Sequence, residues 1–173
     1  MTTATASDGG PIRQISPPDM GFYTKSLDYR GIPIKAPPVV ADAALIEAYR
    51  RLNLLLQNTP STLSNLCRNG AELHIVGRDQ QTSDLPEYRS ARGKPFDGDL
   101  TIDQRTRGVG GIYASCGEEN LLRLASDRYV GRDICVHEFS HTFMEFGLDR
   151  EMQAAIARQY RASVAKGLWP KAY

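Results

Sequence analysis

Tyr129-Val130-Gly131-Arg132-Asp133-Ile134-Cys135-Val136-His137-Glu138-Phe139-Ser140-His141 governs how this chain folds and what chemistry it can carry. Two histidines four residues apart on a helix lie one turn apart on one face, so both imidazoles can reach a single zinc ion. Glu138 falls about 100° around the helix from His137, beside such an ion rather than bound to it. From there its carboxylate can take a proton from an activated water and return it to a leaving amine. The pattern therefore points to His137 and His141 as metal ligands, Glu138 as general base and Zn2+ as the cofactor. The helix context agrees, because Phe139, Phe143 and Phe146 make one apolar stripe while the histidines and Glu138 occupy the other side.

On either side of the motif, the spacing predicts a helix from about Val130 to Phe146, stopped by Gly147, and a second from Asp149 to Lys166 with Asp149 as its N-cap. Upstream, Arg107-Gly108-Val109-Gly110-Gly111-Ile112-Tyr113-Ala114-Ser115 reads as a glycine hinge entering an edge strand. Residues 78–106 are polar and punctuated by Gly and Pro, and a loop of that length is usually functional or mobile. Glu72-Leu73-His74-Ile75-Val76 alternates like a strand after the Asn69-Gly70 turn. Leu45, Ile46, Tyr49, Leu52, Leu55 and Leu56 recur at helical spacing over Asp42 to Gln57, and Ser61 opens a short helix to Arg68. Gly31 to Ile34 is a short extended piece. Residues 1–20 lack periodicity and read as a disordered or extended lead-in to one domain over 21–173.

A catalytic zinc needs a third protein ligand, with the fourth position left for water. Continuing the helix motif with a Gly three residues after His141 and a His three beyond fails, because Met144 and Gly147 stand there. Glu145 lies one turn past His141, and ligands on three consecutive turns would spread over about 12 Å, too far for one ion. Asp149 and Glu151 follow the turn and can fold back. His74, on a strand, reads as a core or edge histidine rather than a ligand.

The bulk numbers narrow the partners. In 173 residues, 21 Lys and Arg nearly balance 20 Asp and Glu, so no global field draws the chain to nucleic acid. No apolar run approaches the ~20 residues of a membrane span. The polar start from Met1 to Gly10 is no secretory signal, so the expected location is cytoplasmic, or secreted if a signal peptide has been removed. Three cysteines, Cys67, Cys116 and Cys135, make no disulfide framework.

Several segments together resemble one group of proteins. They are Asp28 to Ile34, Thr82 to Glu87, Arg107 to Gly111, Glu118 to Leu122, Tyr129 to His141 and Gly167-Leu168-Trp169. In these the chain is similar to bacterial and fungal gluzincins related to the catalytic domain of anthrax lethal factor, over roughly residues 28–173. The resemblance implies an α+β zincin-like metallopeptidase fold, a small twisted mixed sheet packed on helices that include the zinc helix. It implies a peptide or protein substrate that adds antiparallel to an edge strand at Gly110 to Ser115. Tyr173 matches a tyrosine that helps stabilise the oxyanion, and the group's third ligand, a Glu, would follow it, so the chain reads as truncated before that ligand. The expected function is zinc-dependent peptide-bond hydrolysis. The alternatives are a metallopeptidase-like scaffold that binds a peptide or protein without cutting it, and a zinc hydrolase of a non-peptide amide.

Overall fold

Alternating side chains on adjacent strands build one sheet whose order brings a glycine-rich segment and a histidine-bearing helix together at its end. In the computed structural model, which describes residues 10–168, β1 (Arg13–Asp19), β2 (Tyr23–Tyr29) and β3 (Ile32–Ala36) form an antiparallel meander. Helices α1 (Asp42–Leu56) and α2 (Pro60–Asn69) carry the chain to β4 (Glu72–Val76), which pairs parallel with β3. Two 3-10 turns (Thr82–Asp84 and Pro86–Ala91), a hairpin of β5 (Pro95–Asp97) and β6 (Leu100–Thr101), and the one-turn helix α3 (Ile102–Arg105) follow. Strand β7 (Tyr113–Gly117) joins parallel to β4, and α4 (Glu118–Leu121), α5 (Ile134–Thr142), a π-turn (Phe143–Gly147) and α6 (Arg150–Ala165) come last. The sheet order β1-β2-β3-β4-β7 mixes both pairings, so the architecture is α+β with a mixed sheet.

The main core lies on one sheet face. Leu73 and Ile75 of β4 meet Leu27 and Ile34 there, under Leu45, Leu52 and Leu56 of α1 and Cys135 and Phe139 of α5. Phe139 is fully buried, and cutting such a side chain to Ala costs about 3–5 kcal/mol. The helix that carries His137 and His141 is thus pinned by its apolar stripe. The opposite face takes His74 and Val76, by strand alternation, and is covered by a smaller cluster of Tyr23, Val76 and Leu85.

Four expectations change. Residues 13–19, inside the stretch expected as a lead-in, pair with β2 through Arg13↔Ser26, Gln14↔Lys25 and Asp19↔Tyr23. An edge strand with no buried residue leaves no alternation to read, and Pro17 and Pro18 are tolerated at an edge. Strand β2 goes beyond the sequence expectation as well. The polar stretch 78–106 is folded into short elements, held by bonds such as Ser83 N–H and Oγ to the Asp103 carboxylate (2.8 and 2.7 Å). The helix that carries His137 and His141 begins at Ile134 rather than Val130, because Asp133 caps it by accepting from the Val136 N–H. Its regular part ends at Thr142, where the π-turn begins. Asn65 and Asn69 of α2 donate to the carbonyls of Gly147 and Phe146 there (2.9 and 2.8 Å), satisfying groups a helix end leaves unpaired. The last helix agrees closely, with Asp149 accepting from the Met152 N–H as its cap.

Candidate metal centre

The α5 residues that face away from the core are those of the motif. His137 and His141 are exposed, their rings meet edge to face with centroids 5.0 Å apart, and neither ring nitrogen makes a hydrogen bond among the described residues. One ligand atom from each histidine and a Glu138 oxygen all lie within 4.8 Å of one another, so the three can hold a metal ion. The group opens on a cavity of about 680 Å³ walled by α5 on one side and by Arg105, Thr106, Tyr129 and Arg132 on the others.

Helix placement comes from a buried polar frame that sequence reasoning did not identify. Asn120 accepts from the Ile134 N–H (2.9 Å) and donates to Asp127 and the Arg132 carbonyl (both 2.9 Å), fixing the turn that opens α5. Asp133 also pairs with Arg51 of α1 at 2.6 Å. Arg107 grips Glu119 through two bonds of 2.6 and 2.9 Å and donates to the carbonyls of Gly77 and Gln80. That bidentate pair, nearly buried at both ends, anchors the glycine-rich segment that follows Arg107. Nothing local in the sequence signals an Arg and a Glu twelve residues apart as partners.

The glycines have a packing reason. A Cβ at Gly110 would stand 2.6 Å from the Cβ of His141, and one at Gly108 would stand 2.7 Å from Ile134 and 3.0 Å from Glu138. Only a backbone without side chains can lie this close to the motif face of α5. Thr142 Oγ1 donates to the Gly111 carbonyl at 2.5 Å and stitches helix and segment together. Burial pushes the Glu138 carboxyl above its usual range, opposed by the adjacent His137 and His141 and by a backbone hydrogen bond from Gly110.

The expected edge strand is present as β7, the last strand in the sheet order, but it starts later than the Gly110 that the resemblance implied. Regular pairing starts only at Tyr113, and the Ser115 N–H already donates to the Val109 carbonyl at 2.9 Å in an antiparallel bridge. The 107–111 segment therefore folds back along the outside of β7 at that point, because its glycines follow the helix surface rather than extending straight into the strand.

Set against known proteins, the chain matches no family model and no curated sequence.

The remaining sequence candidates are dispersed. Among the described residues, Glu145, Asp149 and Glu151 do not join the group formed by His137, Glu138 and His141. Glu145 sits exposed on the π-turn. Tyr173 lies outside the described residues. His74 is fully buried on the other face of the sheet, with Nδ1 2.6 Å from Glu87 and Nε2 2.9 Å from Glu72. The three cysteines are free thiols.

Proposed function

We propose that this protein is a zinc-dependent peptidase of the zincin-like, gluzincin-related kind, with His137 and His141 holding the ion and Glu138 acting as general base. The observation that carries the reading is the convergence of two hydrogen-bond-free imidazoles and a carboxylate within 4.8 Å on the wall of an open cavity. Two imidazole nitrogens are donors that suit zinc, as they suit copper, iron and nickel, and the Glu138 carboxylate beside them is left for proton transfer. When bound, zinc would polarise the substrate carbonyl and lower the pKa of a water. Glu138 takes the proton of the attacking water and delivers it to the departing amine. Burial supports that double duty, since a carboxylate of raised basicity accepts a proton more readily near neutral pH.

The test is zinc content per chain after extensive dialysis, followed by peptide hydrolysis by wild type and Glu138→Gln. Near-stoichiometric zinc and a loss of turnover of about 10²–10⁴-fold in the variant are expected. Unchanged turnover in Glu138→Gln sinks the mechanism.

A second reading, a scaffold that binds a peptide without cutting it, is favoured by a donor group that contains only two imidazoles among the described residues. It requires peptide binding that is indifferent to Glu138→Ala and no hydrolysis by wild type.

A further inference from the structure

We propose that a pocket adjoining the metal cleft binds the carboxylate of a Glu or Asp side chain in the substrate, so that the cleft selects acidic peptides. The peptide identity of the ligand rests on the peptidase reading above; the preference for an anion rests on the pocket's own residues. The pocket encloses about 400 Å³ where the 122–133 segment meets α1 and α4, and Arg51, Arg123 and Arg132 line it together with Asp127 and Asp133. Arg132 and Asp133 also line the cleft that holds His137 and His141, so one ridge separates the two cavities. With Arg132 and Asp133 as a common wall, the two cavities lie side by side, so a side chain in one and a backbone in the other can belong to neighbouring residues of one peptide.

The balance of charge decides the ligand. Arg51 is engaged by Asp133 (2.6 Å) and by Glu47. Both Asp127 oxygens are taken, one by Asn120 and one by the Tyr129 N–H (2.9 and 2.8 Å). Asp133 uses its second oxygen to cap α5. The guanidinium groups of Arg123 and Arg132 are left with no hydrogen bond or ion pair among the described residues. With Arg51 already paired, the two uncommitted guanidinium groups of Arg123 and Arg132 are what the pocket offers a ligand carboxylate. A planar guanidinium meets a carboxylate through paired N–H donors, the strongest geometry available to either group.

Two further features agree. Arg123 has a φ of 52°, a left-handed conformation that a side chain other than Gly, Asn or Asp seldom adopts. The chain keeps a large cation at a position where glycine would be free of strain, and that cation lines the pocket. Leu124 and Val130 supply an apolar wall for the methylenes of the acidic side chain, and Val130 is 81% exposed.

The test uses random hexapeptides with acetylated and amidated ends, one position at a time fixed as Glu or as Gln. Binding to the zinc-loaded protein is read by fluorescence anisotropy, and hydrolysis by mass spectrometry of the same samples. At one position the Glu set should bind about tenfold more tightly than its Gln counterpart at low ionic strength, and the advantage should shrink with added salt. The double variant Arg123→Gln with Arg132→Gln should lose that advantage, so that the Glu and Gln sets bind it equally well. Arg89→Gln, outside the pocket, should keep it, and the single variant Arg132→Gln repeats the test should the double variant fold poorly. Equal binding of Glu and Gln sets at every position overturns the proposal, as does a preference that survives the double variant. Tighter binding only of peptides with a free C-terminal carboxylate also overturns it. Acid-selective binding without hydrolysis would leave the pocket standing and remove the peptidase reading; hydrolysis without selectivity would do the reverse.

Discussion

Two arrangements of histidine in this chain differ in what their nitrogens are doing. His74 is fully buried, with both ring nitrogens committed: Nδ1 faces Glu87 and the Tyr23 hydroxyl, and Nε2 faces Glu72. Glu72 goes on to Lys35 at 2.5 Å, and Lys35 to Asp19 at 2.6 Å, so the network ties β1, β3 and β4 to the turn at Pro86–Ala91. The Tyr113 ring stacks on His74 with centroids 5.4 Å apart. His137 and His141, across the sheet, commit neither nitrogen and face a cavity. An imidazole already saturated by carboxylates holds structure together. One held in place through its backbone, with its nitrogens uncommitted, is available for a metal.

Removing one histidine from each arrangement tests this contrast most severely. His141→Ala should abolish metal retention and peptide turnover while leaving the thermal midpoint of the metal-free protein near that of wild type. His74→Ala leaves Glu87 and Glu72 without their shared cation and should cost about 3 kcal/mol. That loss corresponds to roughly 6–12 °C in a calorimetric midpoint for a chain of this size. Equal stability losses in the two variants would erase the distinction.

Gly110→Ala tests whether the glycine segment matters by its closeness to α5. The new Cβ would meet the Cβ of His141 at 2.6 Å, so backbone or helix must shift. The expected stability loss is about 1–3 kcal/mol, with a larger proportional loss of zinc affinity, read by chelator competition. Unaltered zinc affinity would mean the segment merely borders the site.

A subtler consequence is a pH dependence. Burial disfavours the charged form of His74, yet the hydrogen bonds from Glu72 and Glu87 prevail and hold its pKa above the ordinary 6.5. Burial likewise opposes ionisation of Glu72 and Glu87, and His74 holds both below the ordinary 4.5. The His74 contribution is complete below 6.5 and fades as pH rises through its folded-state value. The glutamate contributions are complete above 4.5 and fade as pH falls through their folded-state values. The network is therefore strongest between these limits. Wild type minus His74→Gln, compared by denaturant midpoint with a chelator present, should be largest between about pH 4.5 and 6.5. A difference that does not vary with pH would show that His74 is not charged in the fold.

Much of the frame is legible in the sequence. The α1 periodicity, the turn at Asn69-Gly70, strand β4 and the Asp149 cap all depend on neighbours a few residues apart, and each is found within a residue or so of its expected place. The spacing of His137, Glu138 and His141 sets a shared helix face for the same reason. The polar stretch 78–106 is less legible, since its short elements are held by partners far along the chain, such as Ser83 with Asp103 and Arg105 with Asp97.

Residue order alone was enough for the motif, its helix and the apolar stripe that anchors it, because helical spacing converts directly into a common face. Packing in three dimensions settled which face of the sheet each histidine occupies, that β1 completes the sheet edge, and that Gly108 and Gly110 lie against α5. Packing also joined Arg107 to Glu119, and Asn120 to the start of α5. Those contacts unite residues whose separation along the chain carries no periodic signal, and burial rather than local propensity selects their partners.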